Sequence, residues 1–129
     1  MNCYCGNNKT YKACCEVFHL NNGKTETAQQ LMRSRYSAFV LANGDYLMQT
    51  HHSSTRPTSE KKEIVKWAKS VAWIKLEVLE NTNGLAKDEE GTVTFNASFY
   101  ENGSVDVIHE KSAFVRENGN WKYLGLAKK

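Results

Sequence analysis

Two rhythms divide the chain. Over the first, Ala28, Leu31, Met32, Arg35, Tyr36, Phe39 and Val40 fall at the i, i+3, i+4, i+7 spacing of one helix face, and only Arg35 among them is polar. Thr25 or Thr27 stands where a helix cap is wanted, and Asn43-Gly44 is placed to end the helix in a left-handed turn. Asp45 is then positioned to cap a second, short helix, YLMQTH. HHSSTRP reads as a loop closed by Pro57. Thr58 or Ser59 opens a third helix, SEKKEIVKWAKSV, with Ile64, Trp67, Ala68 and Val71 on its buried side.

After residue 71 the period falls to two. Ile74, Leu76 and Val78 alternate with Lys75 and Glu77, and Val93, Phe95, Ala97 and Phe99 alternate with Thr94, Asn96 and Ser98. Residues 105–116 and 121–126 read as a third and a fourth strand. Asn102-Gly103 and Asn118-Gly119 are two-residue hairpin signals, so the last three strands form an antiparallel meander. NGLAKDEEG between the first two is a charged solvent loop. Three helices followed by an antiparallel sheet predict an α+β fold with the helices gathered on one face.

Composition narrows the class. The chain has 129 residues, of which 40% are hydrophobic and 24% charged, which suits a single globular domain with room for a small appendage. A net charge of +3 falls short of the basic stripe of a dedicated nucleic-acid binder. The weaker nucleic-acid reading rests on Lys9, Lys12, Lys24, Arg33 and Lys128-Lys129. No apolar run approaches the roughly 18 residues of a membrane span. Met1-Asn2-Cys3 leaves no room for a signal peptide, so a cytoplasmic location is expected.

All four cysteines lie within thirteen positions, in CYCGNNKTYKACC. In a reducing compartment such clusters bind metal or do redox chemistry more often than they form structural disulfides. The C-x-x-C spacing of redox thiols is missing. Four thiolates, Cys3, Cys5, Cys14 and Cys15, suffice for a closed tetrahedral zinc shell, which is the structural kind. Gly6-Asn7-Asn8 supplies residues that tolerate a tight turn. Lys9 and Lys12 are placed to offset surplus negative charge. Neighbouring side chains tend to diverge, so His19 is held as a substitute ligand should Cys14 or Cys15 fail to reach the ion. Residues 1–24 are read as the knuckle and 25–129 as the α+β domain.

The pattern C-x-C-x8-C-C, with Gly6 after the second cysteine and Tyr11-Lys12 before the last pair, resembles the SEC-C motif. That zinc-binding module is best known as a docking element in the tail of the SecA translocation ATPase. Its usual form is nearer CPCGSGKKYKKCC; here Tyr4 replaces the proline and Asn7-Asn8 replace Ser-Gly. The order of elements in the body looks like the cone of the nuclear-transport-factor-2-like superfamily, a curved sheet around helices that often leaves a pocket. LMRSRYSAFVLANGDYL, the STRP of residues 54–57 and HEKSAFVRENGNWKY together resemble the YchJ-type bacterial family, which joins a SEC-C motif to such a cone. Some members carry a second SEC-C motif at the C-terminus, whereas this chain has no further cysteine. The resemblance implies an architecture and no particular activity.

Within the body, Glu110 and Ser112 share a strand face with Ile108 and Phe114 if those two point inward. An inward carboxylate is costly unless it is paired or lines a wet pocket. Glu110 is therefore either a pocket base or an anchor paired with Arg33, Arg35 or Arg56. Arg35, on the apolar stripe, is the better internal partner, because Arg33 lies about 200° round the helix from it. Asp45, His52 and Arg56 complete the pocket candidates. His51-His52 as a second metal site rests on no spacing rule. Trp73 and Trp121 read as core or cavity wall.

Two functions follow as expectations. The first is a zinc-binding docking or adaptor protein whose knuckle meets a macromolecular partner; the resemblance suggests a SecB-like chaperone, the ribosome or nascent-chain machinery. The second is a small-molecule binder or enzyme, isomerase- or hydrolase-like, using the cone pocket.

Overall fold

The computed structural model describes residues 2–127. Its elements are a 3-10 turn at Tyr11–Ala13, helices α1 (Cys15–Leu20), α2 (Ala28–Val40) and α3 (Gly44–Gln49), a 3-10 turn at Thr58–Glu60, helix α4 (Lys61–Ser70), and strands β1 (Ala72–Asn83), β2 (Glu90–Glu101), β3 (Ser104–Glu117) and β4 (Asn120–Leu126). The expected α+β arrangement is present, with one helix more than the periodicity predicts. The extra element is α1.

Helix α2 forms where the stripe places it. Thr27 makes a capping box: its side chain accepts from the Gln30 N–H, and the Gln30 side chain accepts from the Thr27 N–H. Its C-terminus differs from expectation. Ala42, at φ +53°, takes the left-handed turn, and Asn43 caps α3 by accepting from the Tyr46 N–H. Asp45 is therefore a first-turn residue and not the cap. Gly44 is glycine for another reason: a Cβ there would lie 2.6 Å from Val65 Cγ2, so α3 and α4 meet too closely for a side chain.

The sheet runs β1-β2-β3-β4, antiparallel throughout. Asn102-Gly103 and Asn118-Gly119 have positive φ at both positions, as the predicted hairpins require. The alternation of β2 holds, with Val93, Phe95, Ala97 and Phe99 all buried. In β1 the expectation fails at one residue. Trp73 pairs with Phe99 while Lys75 pairs with Ser98, so a bulge absorbs Ile74. Trp73 and Leu76 then both face the helices, and Ile74 is half exposed.

Helix α2 packs across the inner face of β2 and β4. Trp121, Phe114, Leu31 and Val93 are sealed between the layers. The Trp121 indole N–H donates to the Glu26 carbonyl at 2.9 Å, so its one polar atom is satisfied. The four cysteine side chains belong to this same core, alongside Leu31 and Leu76.

Candidate metal centre and the cavity behind it

The knuckle is built by short-range hydrogen bonds. The Gly6 N–H donates to the Cys3 carbonyl at 3.1 Å, closing a tight turn in which Gly6 sits at φ +92°. Of Gly6-Asn7-Asn8, only the glycine adopts a left-handed conformation. The Cys3 N–H reaches the Lys9 carbonyl at 2.6 Å, and Thr10 caps the following 3-10 turn. Cys14 both ends that turn and precedes α1. The chain changes direction there, and this bend lets the side chains of two adjacent cysteines converge.

All four sulfurs lie within 4.8 Å of one another, and all four residues are buried. A tetrahedral zinc with Zn–S near 2.3 Å separates its sulfurs by about 3.8 Å. Cys5 Sγ and Cys14 Sγ stand 3.7 Å apart. None of the cysteines is disulfide-bonded. Sharing a proton with the Cys15 sulfur draws the Cys5 thiol down to about 5, and the same contact, with burial, pushes Cys15 up. Burial also raises Cys14. A divalent cation would favour ionisation of all four thiols. The donor set fits a metal of zinc's geometry and softness.

The body holds this cluster directly. Cys3 Sγ lies 3.7 Å from Ser37 Oγ, and the Cys15 thiol donates to the Arg33 carbonyl at 3.5 Å. Arg33 Nη1 donates to the Cys5 carbonyl at 2.7 Å, which places Arg33 at the knuckle and away from Glu110. His19 is no ligand here. Tyr11 Oη lies 2.6 Å from its Nδ1, the Ser34 carbonyl lies 2.8 Å from its Nε2, and its ring packs on Tyr46. With Cys14 and Cys15 both in reach, no substitute is needed.

Behind α2 lies a cavity of about 150 Å³ between that helix and the sheet. Glu110 sits opposite Phe95, Ile108 opposite Ala97 and Ser112 opposite Val93, so the register turns Glu110 inward, and His109 outward to Asn96. Glu110 and Arg35 both line the cavity. They form no ion pair within 4.0 Å; Glu110 instead accepts from Ser112 Oγ at 3.3 Å. Arg35 turns the other way, its Nη1 donating to the Leu47 carbonyl and to Thr50 Oγ1 at the end of α3. The arginine-paired anchor expected for Glu110 is therefore absent.

The remaining pocket candidates lie elsewhere. Asp45 is exposed and paired with Lys61. His52 binds backbone and Ser54 in the loop, 3.9 Å from Glu117. Arg56 is spent on the His51 carbonyl. Among the described residues the one group of three or more metal-type ligands is the cysteine cluster, to which His51 and His52 do not belong. Sequence reasoning passed over Tyr123, whose ring lies under Arg35 with its centre 4.7 Å from the guanidinium carbon. Its alternation with Trp121 in β4 was the available signal. Lys9 and Lys12 are exposed on the knuckle and Lys24 beyond α1; Lys128 and Lys129 fall outside the described residues. No helix among the described residues is long and apolar enough to cross a membrane.

Comparison with known proteins agrees with this architecture. Residues 27–125 match the family model for the YchJ middle NTF2-like domain. A UPF0225 protein of Vibrio parahaemolyticus is 44% identical over 122 residues, covering 95% of this chain and 72% of the relative. One from Streptomyces coelicolor is 41% identical and covers 94% and 90%. Among solved structures, a SEC-C motif protein of Rhodopseudomonas palustris superposes with a TM-score of 0.87 at 32% identity over the full length of both chains. A SEC-C motif protein of Psychrobacter arcticus gives 0.81 at 31% identity over 98% of this chain and 83% of its own. The cysteine knuckle, the cone behind it and these relatives agree: the chain belongs to the YchJ (UPF0225) family and joins a SEC-C motif to an NTF2-like domain.

Proposed function

We infer that the chain binds one zinc ion through Cys3, Cys5, Cys14 and Cys15, and that the knuckle so fixed docks on a macromolecular partner in the cytoplasm. The observation that carries this is the clustering of four buried sulfurs within 4.8 Å of one another, enough donors for a closed tetrahedral shell. With four protein ligands the ion's contribution is shape. What it shapes is a surface. A depression of about 130 Å³ beside the cluster is bordered by Lys9, Val17, Phe18 and Arg33. Val17 and Leu20, three residues apart on α1, are exposed, as is Tyr4. Apolar side chains beside two cations suit an acidic segment with an apolar anchor. A SecB-like chaperone, the ribosome and nascent-chain machinery are the partners to test.

The experiment joins two measurements. Native mass spectrometry of tag-free protein should give one bound zinc, and Cys3→Ser should lose it. Binding to a purified SecB-type chaperone and to ribosomes is then compared for wild type, Cys3→Ser and the zinc-retaining double variant Lys9→Glu/Val17→Asp. Loss of binding in both variants supports the reading. Undiminished binding by folded, metal-free Cys3→Ser overturns it.

A further inference from the structure

The cavity behind α2 presents a charged edge that the fold does not use. Arg35 is only 6% exposed, and its hydrogen bonds run from Nη1 alone. Among the described residues no carboxylate lies within 4.0 Å of its guanidinium. No fully buried side-chain nitrogen or oxygen among them lacks a partner, so Nε and Nη2 are not sealed in protein, and Arg35 is one of the residues that line the cavity. Burial lowers this guanidinium only to about 10, which leaves it cationic at neutral pH. The Nε–Nη2 edge is a fork that takes a carboxylate through two parallel N–H···O bonds.

The facing wall supplies the complement. Glu110 lines the same cavity from β3, more than 4.0 Å from Arg35, with the Ser112 hydroxyl beside it. Tyr123 feels both charges: burial raises its hydroxyl, Glu110 adds to the rise and Arg35 opposes it. The other walls are largely aromatic, Trp67 and Trp73 among them. Arg35, buried without a carboxylate partner, is costly alone, and the half-buried Glu110 lines the same cavity. One molecule with an anionic end and a hydrogen-bond donor satisfies both. The volume, about 150 Å³, matches that of an engineered cavity that takes up benzene.

We propose that this cavity is a binding site for a small carboxylic acid of about six to nine non-hydrogen atoms that carries a hydroxyl or ammonium group. The carboxylate seats on the free edge of Arg35, the apolar body lies against Trp67 and Trp73, and the donor reaches Glu110.

The test titrates the zinc-loaded full chain with 2-hydroxyisovalerate, valine and benzoate, and with neutral 2-hydroxyisovaleramide, following tryptophan fluorescence. Arg35 is left intact because it also secures the end of α3. At least one of the two donor-bearing acids is expected to quench saturably, and the amide to bind about tenfold more weakly, as loss of a charge-assisted pair implies. Glu110→Gln should weaken the donor-bearing acids and leave benzoate unchanged. Ala97→Leu, which fills the cavity from β2, should abolish binding while zinc is retained. Three results would overturn the proposal: no saturable quenching by any acid, leaving a space for water alone; equal binding of acid and amide; or wild-type binding by Ala97→Leu.

Discussion

His51 stands edge-on to Tyr123, ring centres 5.0 Å apart, in cationic surroundings. Burial, then the charges of Arg35, Arg56 and His52, draw its pKa from 6.5 down to about 4. Above about pH 6.5 folded and unfolded states are both neutral, and the ring's contribution to stability is whole. As pH falls from there towards 4, the unfolded chain takes up a proton that the folded chain refuses, and stability declines. The ring keeps partial solvent access, so the loss is about 1–2 kcal/mol. His51→Phe preserves the edge-on packing and removes the titration. Its urea midpoint should fall less than that of wild type between roughly pH 7.5 and pH 5; equal slopes would refute the assignment. At this scale the metal cluster was legible in the sequence, because the spacing of four thiols along a short segment is itself the constraint. The direction of Arg35 was not. It depends on which carbonyls α3 presents at its end, and no pattern within α2 encodes that.

At the level of elements, the hairpin between β1 and β2 hangs on a contact between backbones. A Cβ on Gly91 would lie 2.5 Å from both the N and the Cα of Gly84, and 2.9 Å from the Thr82 carbonyl oxygen. No side-chain rotation relieves such an overlap. Gly91→Ala should therefore cost about 2–3 kcal/mol as the hairpin is forced open. Gly103→Ala meets nothing within 4 Å and carries only the left-handed backbone of its turn, about 1 kcal/mol. Denaturant titration of the two variants checks the ranking, and an equal loss would contradict it. The contrast also explains what could be read in advance. Asn102-Gly103 and Asn118-Gly119 announce their turns because turn conformation is local. Gly44 and Gly91 are fixed by partners distant in sequence or packed backbone to backbone, and the bulge at Ile74 by pairing with β2. Periodicity carries none of that.

Across the whole molecule, knuckle and cone share one core. The sulfurs pack with Leu31 and Leu76, in the cluster that also contains Phe114 and Trp121. Stripping the proposed zinc with a chelator should therefore lower the melting midpoint of the entire chain in one cooperative transition. Tryptophan fluorescence, from Trp67, Trp73 and Trp121 in the body, and far-UV circular dichroism should move together. An unaltered tryptophan transition after complete metal loss would show instead that the knuckle melts by itself. The shared core also sets an order of events in time. Leu76 follows Cys15 by 61 residues, and the Leu76 carbonyl belongs to the strand that lies against Gly6 in the knuckle. At about 5–20 residues per second of synthesis, the thiols stand uncovered for roughly 3–12 s before that strand exists. The proposed zinc would thus enter an open cluster on the growing chain, and the cone would close over it afterwards.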